Sequence, residues 1–154
     1  AVGVQVANPG KLVIDIAGEA SVLMTMQEMS TAVQYKLPIK IFILNNQYMG
    51  MVRQWQELLH EKNYSESYTA ALPDFVKLAE AYGCVGIQAK KPDELDEKIN
   101  EMINVNKPVI FDCLVDPMEN CFPMIPSGKP HNQMLLGPED EEEEEISDEG
   151  KTLV

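Results

Sequence analysis

The sequence is poor in positive charge and has no long apolar run. Its 154 residues carry 12 Lys and Arg against 25 Asp and Glu, a formal net charge of −13. This balance argues against nucleic acid or an anionic membrane surface as a partner, because both are polyanions that repel such a chain. No stretch approaches the roughly 18 unbroken apolar residues that a membrane span needs. We therefore expect neither nucleic acid nor membrane as a partner.

Cysteine is also scarce. Cys84, Cys113 and Cys121 are an odd number at wide, unmatched spacing. This pattern is typical of reduced thiols rather than of a disulfide frame or a zinc site. It favours a cytoplasmic protein, or an organellar one if the source is eukaryotic. With 45% apolar residues the chain can bury one core, so we expect one domain or a large piece of one.

The acidic residues are unevenly placed. Nine of the 25 lie in the last sixteen residues, namely Glu139, Asp140, Glu141 to Glu145, Asp148 and Glu149. The rest of the chain is only mildly acidic, so the net charge carries little functional information. We expect a domain over residues 1–128, followed by an irregular and disordered acidic tail over residues 129–154.

Apolar runs alternate with helical patterns along the chain. Strands are predicted over 11–17, 39–44, 84–89 and 108–115. Helices are predicted over 21–35, 73–82 and 92–104, and the segment 47–60 is predicted to turn at Gly50 and then become helical. The first strand is apolar enough to be covered on both faces, as in a parallel sheet. The alternation predicts an α/β fold with a doubly wound, mostly parallel sheet. Ligands of such sheets bind at the carboxyl ends of the strands.

The helix over 21–35 carries a methionine cluster. Ser21 is a plausible N-cap, and Val22, Met26, Met29 and Val33 recur at helical spacing. We expect Met24, Met26 and Met29 to belong to the core. Neither His60 nor His131 has an acid or a nucleophile at a sequence spacing typical of a catalytic pair, so we expect no catalytic role for either.

Two polar motifs follow the first two strands. Gly18-Glu19-Ala20-Ser21 offers a carboxylate and close backbone approach, and Asn45-Asn46 offers amide oxygens. Each alone is compatible with an ordinary helix N-terminus or turn. One βαβ passage separates them, however, so adjacent parallel strands would bring them together. Mg²⁺ takes few protein oxygens and shares the rest with phosphates and water, so the pair predicts a site for a metal and a diphosphate.

These motifs resemble the thiamine diphosphate motif, which usually opens Gly-Asp-Gly and closes Asn-Asn. Residues 11 to 128 resemble more specifically the carboxyl-terminal part of the catalytic subunit of acetolactate synthase. The residues that carry the resemblance are Gly18 with Ser21, Gln27-Glu28, Leu37-Pro38-Ile39-Lys40, Leu44-Asn45-Asn46-Gln47, Met49-Gly50-Met51-Val52, Gln54-Trp55, Pro73-Asp74-Phe75, Lys77-Leu78-Ala79-Glu80-Ala81 and Pro123-Met124.

The resemblance implies a role for each matching residue. Glu19, Asn46 and the backbone oxygen of Tyr48 would coordinate Mg²⁺. Contacts to the cofactor would come from Gly18, Ala20, Ser21, Met49, Gly50 and Met51. Trp55 would border the site of the second 2-keto acid, while Arg53 is expected to be solvated or structural. Residue 19 is Glu where the family usually has Asp, which leaves the metal geometry open.

The resemblance also implies the reaction. Pyruvate would be decarboxylated and joined to a second 2-keto acid, giving 2-acetolactate or 2-aceto-2-hydroxybutyrate in branched-chain amino acid synthesis. The family's activating glutamate and its FAD lie in other domains, so no catalytic residue is assigned here. The family also implies a homo-oligomer and a possible small regulatory subunit. We expect the chain to be a fragment that is inactive alone.

Two alternatives stay open from the residues themselves. The first is a non-catalytic α/β module that binds a phosphate or a nucleotide with the same backbone geometry. The second is an interaction protein that works through its acidic tail.

Overall fold

The computed structural model describes residues 1–137, which fall into two compact units. The first unit consists of residues 1–49 and 69–117, and the second contains residues 50–68 and 118–137. Most of the predicted acidic tail, residues 138–154, lies outside the described residues. The division into a domain over 1–128 and a tail over 129–154 stays a prediction.

The first unit is built on a parallel sheet of four strands in the order β1-β2-β4-β3. The strands are β1 (Ile14–Gly18), β2 (Lys40–Asn45), β3 (Val85–Ala89) and β4 (Val109–Leu114). The helices are α1 (Val2–Ala7), α2 (Glu19–Thr25), α3 (Glu28–Gln34), α4 (Gly50–Leu59), α5 (Phe75–Tyr82) and α6 (Leu95–Asn104), with 3-10 turns at Pro92–Glu94 and His131–Gln133. Within residues 1–137, every helix is too short or too polar to cross a membrane.

Helices cover both faces of the sheet. On one face, α2, α3 and α5 pack on β2 and β4 through a buried cluster that includes Met29, Phe75 and Ile43. On the other, α6 packs on β3 and β4 through a second cluster that includes Met102 and Phe111. The doubly wound parallel fold predicted from the alternating pattern is therefore confirmed.

The ends of α5 follow the sequence signals closely. Asp74 caps the helix, because its carboxylate accepts the backbone N–H of Lys77 at 3.0 Å. Gly83 ends it in the left-handed region at φ 83°, a backbone conformation that glycine adopts without a Cβ clash. Gly86 of β3 allows close packing, since a Cβ there would lie 2.7 Å from the backbone oxygen of Val76.

The first strand differs from its prediction. β1 is an edge strand, and its Ile14 and Ile16 side chains are exposed, the latter at 69%. The apolar run was predicted to be covered on both faces, and this prediction is wrong for the described residues. Both isoleucines lie on the face that carries α6, but α6 packs over β3 and β4 at the other side of the sheet.

The helix predicted over 21–35 is two helices. α2 ends at Thr25 and α3 begins at Glu28, joined by a turn in which Met29 N–H donates to the oxygen of Met26 at 3.0 Å. α2 also starts earlier than predicted, because the extended backbone of Gly18 leads directly into Glu19. Ser21 is therefore inside the first turn rather than at the N-cap.

The methionines that were predicted to be core residues differ in burial. Met29 is buried and Met26 is half-buried, but Met24 is 71% exposed. The prediction is wrong for Met24, because it lies two residues from Val22 and therefore on the opposite side of α2 from the packed face.

Candidate functional site

The carboxyl ends of β1 and β2 are neighbours in the sheet. Gly18 pairs with Leu44 in parallel register, so Glu19 follows β1 where the Asn45-Asn46 pair ends β2. The structure thus brings together the two polar motifs that the sequence separates by one βαβ passage. They meet at the edge of the sheet where such folds bind ligands.

Glu19 is a buried carboxylate at this edge, with only 1% of its surface exposed. Burial raises the pKa of Glu19 above its ordinary value, and hydrogen bonds from the Thr69 hydroxyl and from the backbone N–H groups of Glu19, Asn46 and Tyr48 oppose the rise. The bond from Thr69 Oγ1 to Glu19 Oε1 measures 3.4 Å. No Lys, Arg or His within residues 1–137 forms an ion pair with it.

The turn after β2 places its two asparagines differently. The Asn45 side chain points into the sheet, where Nδ2 donates to Asp112 Oδ1 at 2.9 Å. Asn46 Oδ1 stays at the turn and accepts the N–H of Tyr48 at 3.2 Å. Gln47, between Asn46 and Tyr48, adopts the left-handed region at φ 61°. Of the two amides, Asn46 is therefore the one available to a ligand at this edge.

These groups fit a divalent cation. A buried carboxylate without a cationic partner lacks the compensation that buried charges normally have, and a metal would supply it. Residues 1–137 contain no cluster of three or more His, Cys, Asp or Glu that could hold a metal. A site here would thus depend on one carboxylate with amide and backbone oxygens, which suits Mg²⁺, because Mg²⁺ keeps most of its ligands from water and phosphate.

Gly18 leaves open space beside the carboxylate. A Cβ added at this residue would meet no atom nearer than Ser21 Oγ at 3.9 Å, so packing within the chain does not require glycine. Its φ of −82° is open to any residue as well. Ala20 is half-buried in the first turn of α2, whereas Ser21 and Met49 are exposed. The residues next to Glu19 in the sequence are therefore small, and they leave room for a ligand beside the carboxylate.

The second unit contains α4, which begins at Gly50 and presents an unusual distribution of side chains. Its buried residues are polar: Arg53 pairs with Glu57 and donates to the Glu119 oxygen at 3.0 Å and to Asn120 Oδ1 at 2.7 Å. Gln54 donates to the Cys121 oxygen at 3.0 Å and accepts the Cys121 N–H at 2.7 Å. Arg53 therefore has a structural role, one of the two that were expected for it.

The apolar residues of α4 face outward. Met51 is 54% exposed and Trp55 is 40% exposed. They line an open groove of about 800 Å³ within the second unit, formed by Met51, Val52, Trp55, Gln56, Leu59, His60, Glu61 and Asn63. A helix normally turns its apolar stripe inward, so this inversion marks the groove as a place for an organic ligand or a partner.

Sequence reasoning missed the residues that support these sites. Thr69 lies between two of the predicted helices, yet its hydroxyl reaches Glu19. Asp112 is an acid inside an otherwise apolar strand, and that contrast could have singled it out. Gln54 carries part of the resemblance, but the sequence gave no sign of its bonds to Cys121.

Comparisons with known proteins agree with this geometry. A family model described as "Thiamine pyrophosphate enzyme, C-terminal TPP binding domain" matches residues 1–113. The chain is 48% identical over 136 residues to the acetolactate synthase large subunit of Cyanidium caldarium, covering 88% of this chain and 23% of the relative. It is 48% identical over 128 residues to the mitochondrial acetolactate synthase catalytic subunit of Saccharomyces cerevisiae, covering 83% and 18%.

A solved structure is similar as well. The thiamine diphosphate-dependent 4-hydroxybenzoylformate decarboxylase of Rhodococcus jostii RHA1 aligns with a TM-score of 0.69 at 28% identity, over 75% of this chain and 22% of that one. The resemblance predicted from the sequence is thereby confirmed. The chain spans about a quarter or less of the length of the relatives it matches.

Proposed function

The chain belongs to the family of C-terminal thiamine pyrophosphate-binding domains of thiamine pyrophosphate enzymes, and on that premise we propose that it holds thiamine diphosphate through Mg²⁺ at the β1–β2 edge. Glu19, Asn46 and the backbone oxygen of Tyr48 would be the protein ligands of the metal. Gly18, Ala20, Ser21 and Met49 would lie along the diphosphate. Roles for Gly50 and Met51 toward the cofactor rest on the resemblance alone.

One observation supports the metal more than any other. The Glu19 carboxylate is buried beside the Asn46–Tyr48 turn without a cationic side chain, and burial raises its pKa. A divalent cation would stabilise the ionised form that coordination requires. The longer side chain of Glu, in place of the usual Asp, still reaches this turn, since backbone N–H groups of Asn46 and Tyr48 donate to it.

The proposed reaction joins two 2-keto acids. When bound, the cofactor supplies the electron sink for decarboxylating pyruvate and for transferring the remaining two-carbon unit to the second acid. This chain would bind and orient the diphosphate, while Trp55 would present a flat apolar wall to the acceptor. Such a wall favours 2-ketobutyrate over pyruvate, because 2-ketobutyrate has one more methylene to pack against it. The products would be 2-aceto-2-hydroxybutyrate and 2-acetolactate.

Further components belong to the proposed parent enzyme. We assign FAD, a homo-oligomeric catalytic subunit and a small regulatory subunit to it by similarity to the acetolactate synthase large subunits. A cytoplasmic or organellar location follows from the same similarity. The 154-residue chain by itself would bind cofactor without completing the reaction.

Calorimetric titration of the 154-residue chain tests the cofactor proposal. We expect thiamine diphosphate to bind with Mg²⁺ and not with EDTA, and to bind more tightly than ATP or NAD. Glu19→Gln keeps the size of the side chain but removes its charge, so the affinity should fall by at least about 100-fold, since even outer-shell partners of a metal are worth 10–100-fold.

Glu97→Gln is the matched control, because Glu97 is an exposed glutamate on α6. It should bind cofactor like the wild type, and circular dichroism should show all three proteins folded. Equal binding by Glu19→Gln, or equal preference for ATP, would exclude the proposed site. Formation of 2-acetolactate by the isolated chain from pyruvate, thiamine diphosphate and Mg²⁺ would refute its assignment as an incomplete part of the enzyme.

A further inference from the structure

A second carboxylate lies inside the sheet, away from any proposed ligand. Asp112 is in β4 and only 3% exposed. It accepts hydrogen bonds from side-chain amides on both neighbouring strands: Gln88 Nε2 of β3 donates at 2.7 Å to Oδ2, and Asn45 Nδ2 of β2 donates at 2.9 Å to Oδ1. One carboxylate thus joins three adjacent strands near their carboxyl ends.

The bond to Asn45 fixes which way that amide points. Both Asp112 oxygens accept hydrogen bonds from amide NH₂ groups, so the NH₂ group of Asn45 faces Asp112. The amide oxygen is thereby turned toward the loop, where it accepts the N–H of Gln47 at 3.2 Å. If the Asn45 amide were flipped, its NH₂ group would face the N–H of Gln47, and its oxygen would face the carboxylate of Asp112. Neither contact could form a hydrogen bond.

Gln47 needs this support, because it occupies the left-handed region at φ 61°, which costs a residue other than glycine some free energy. Its backbone oxygen in turn accepts the N–H of Thr69 at 2.9 Å, and the hydroxyl of Thr69 donates to Glu19. Hydrogen bonds therefore run without interruption from Gln88 through the sheet to the candidate metal ligand. These hydrogen bonds meet at Gln47, which lies between the proposed metal ligands Asn46 and Tyr48.

We propose that Asp112 is a positioning residue for the metal-binding turn, acting through the Asn45 amide. It would touch neither metal nor cofactor, but it would set the backbone of Gln47 and hence the oxygens of Asn46 and Tyr48. What the turn binds rests on the function proposed above, whereas the effect of Asp112 on the turn does not.

Two variants separate positioning from a general structural role. Asp112→Leu has a similar size but accepts from neither amide neighbour, so the Asn45 amide loses the bond that fixes its direction. Gln88→Met is the matched control, because it disturbs the same carboxylate from the other side and leaves the Asn45 bond intact. Both should lower the stability of the sheet, but only the first should disturb the turn.

Amide hydrogen exchange in the metal-free chain reads the turn directly. We expect the Gln47 N–H to lose protection by about tenfold or more in Asp112→Leu, as expected for a local opening, and to keep it in Gln88→Met. Mg²⁺-dependent binding of thiamine diphosphate should weaken about 10–100-fold in Asp112→Leu only. Unchanged protection of Gln47, or equal loss in both variants, would overturn the proposal. Failure of the wild type to bind thiamine diphosphate would count against the proposed function. Hydrogen exchange at Gln47 would still test the role of Asp112 in positioning the turn.

A paired substitution gives a rescue. Asn45→Asp combined with Asp112→Asn moves the carboxylate one strand over and preserves every bond: position 45 then accepts from both position 112 and Gln47, while position 112 accepts from Gln88. The pair should restore Gln47 protection to within about threefold of the wild type, because the two substitutions compensate each other at one shared hydrogen bond. Gln47 protection as low in the pair as in Asp112→Leu would contradict the mechanism.

Discussion

The sheet edge at Glu19 and the helix α4 break the usual rule of burial in opposite directions. At the edge a carboxylate is hidden from water without a cation, and on α4 the polar side chains are buried while Met51 and Trp55 face solvent. Charged groups are rarely buried unless paired, and large apolar groups are rarely exposed together. Each exception indicates a different missing partner: a cation for the edge and an apolar surface for the helix.

The two exceptions are also supported differently. Glu19 is held by backbone N–H groups and one hydroxyl, but burial outweighs these bonds and raises the pKa of Glu19. The buried side of α4 is held by a guanidinium and an amide, each bonded to the 119–121 segment. Removing the charge of Glu19 should therefore stabilise the sheet edge in the absence of metal. Removing the charge of Arg53 should destabilise α4.

The largest effect is expected at Arg53. Arg53→Ala leaves Glu57 and the 119–120 acceptors without their donor, and breaking a buried ion pair in this way costs about 3–5 kcal/mol. Urea unfolding followed by Trp55 fluorescence measures the loss, because Trp55 is the single tryptophan of the chain. Arg53→Lys retains the charge without the planar fork, so its loss should be smaller. A loss below about 1 kcal/mol for Arg53→Ala, the range of surface pairs, would mean that α4 is oriented by other contacts.

Glu19 should give a smaller effect of opposite sign that depends on pH. Burial raises its pKa above the ordinary 4.5, so the folded chain binds this proton more tightly than the unfolded chain. The stability that Glu19 contributes is therefore greatest below about pH 4.5 and is lost as the pH rises through the folded pKa. In metal-free buffer, Glu19→Gln should become more stable than the wild type as the pH rises through this window.

The measurement is the difference in unfolding free energy between the two proteins at a series of pH values, so that titration of the other carboxylates cancels. Glu97→Gln is the matched control, because it removes one exposed carboxylate of the same kind. Addition of Mg²⁺ at neutral pH should stabilise the wild type and not Glu19→Gln. A constant difference between Glu19→Gln and the wild type would show that water reaches the carboxylate.

The fold was largely predictable from the sequence because its signals are local. The apolar runs specify the parallel strands, and Asp74 and Gly83 mark the ends of α5 through side-chain capping and the left-handed backbone. The exposure of Ile16 was not predictable, since the face of β1 depends on how far α6 extends over the sheet. The break between α2 and α3 depends likewise on tertiary packing.

The site was predictable only in part. Two motifs at strand ends indicated the metal edge, because parallel strands bring their carboxyl ends together. Thr69 and Asp112 could not be linked to it, since their bonds to Glu19 and Asn45 join residues far apart in sequence. The inversion of α4 could not be read either, because an amphipathic pattern does not say which side is buried.

Trp55 should give the smallest effect on stability and a selective effect on chemistry. Because its side chain is 40% exposed, Trp55→Leu should change the unfolding free energy by no more than about 0.5 kcal/mol, as for surface positions. In a full-length enzyme that carries this sequence, loss of the flat wall should lower the preference for 2-ketobutyrate over pyruvate by about tenfold, within what one methylene can contribute. Product ratios from equimolar acids measure it, and Trp55→Phe, which keeps an aromatic wall, should retain most of the preference. An unchanged ratio in Trp55→Leu would separate the exposed face of α4 from the acceptor and leave a protein partner as its occupant.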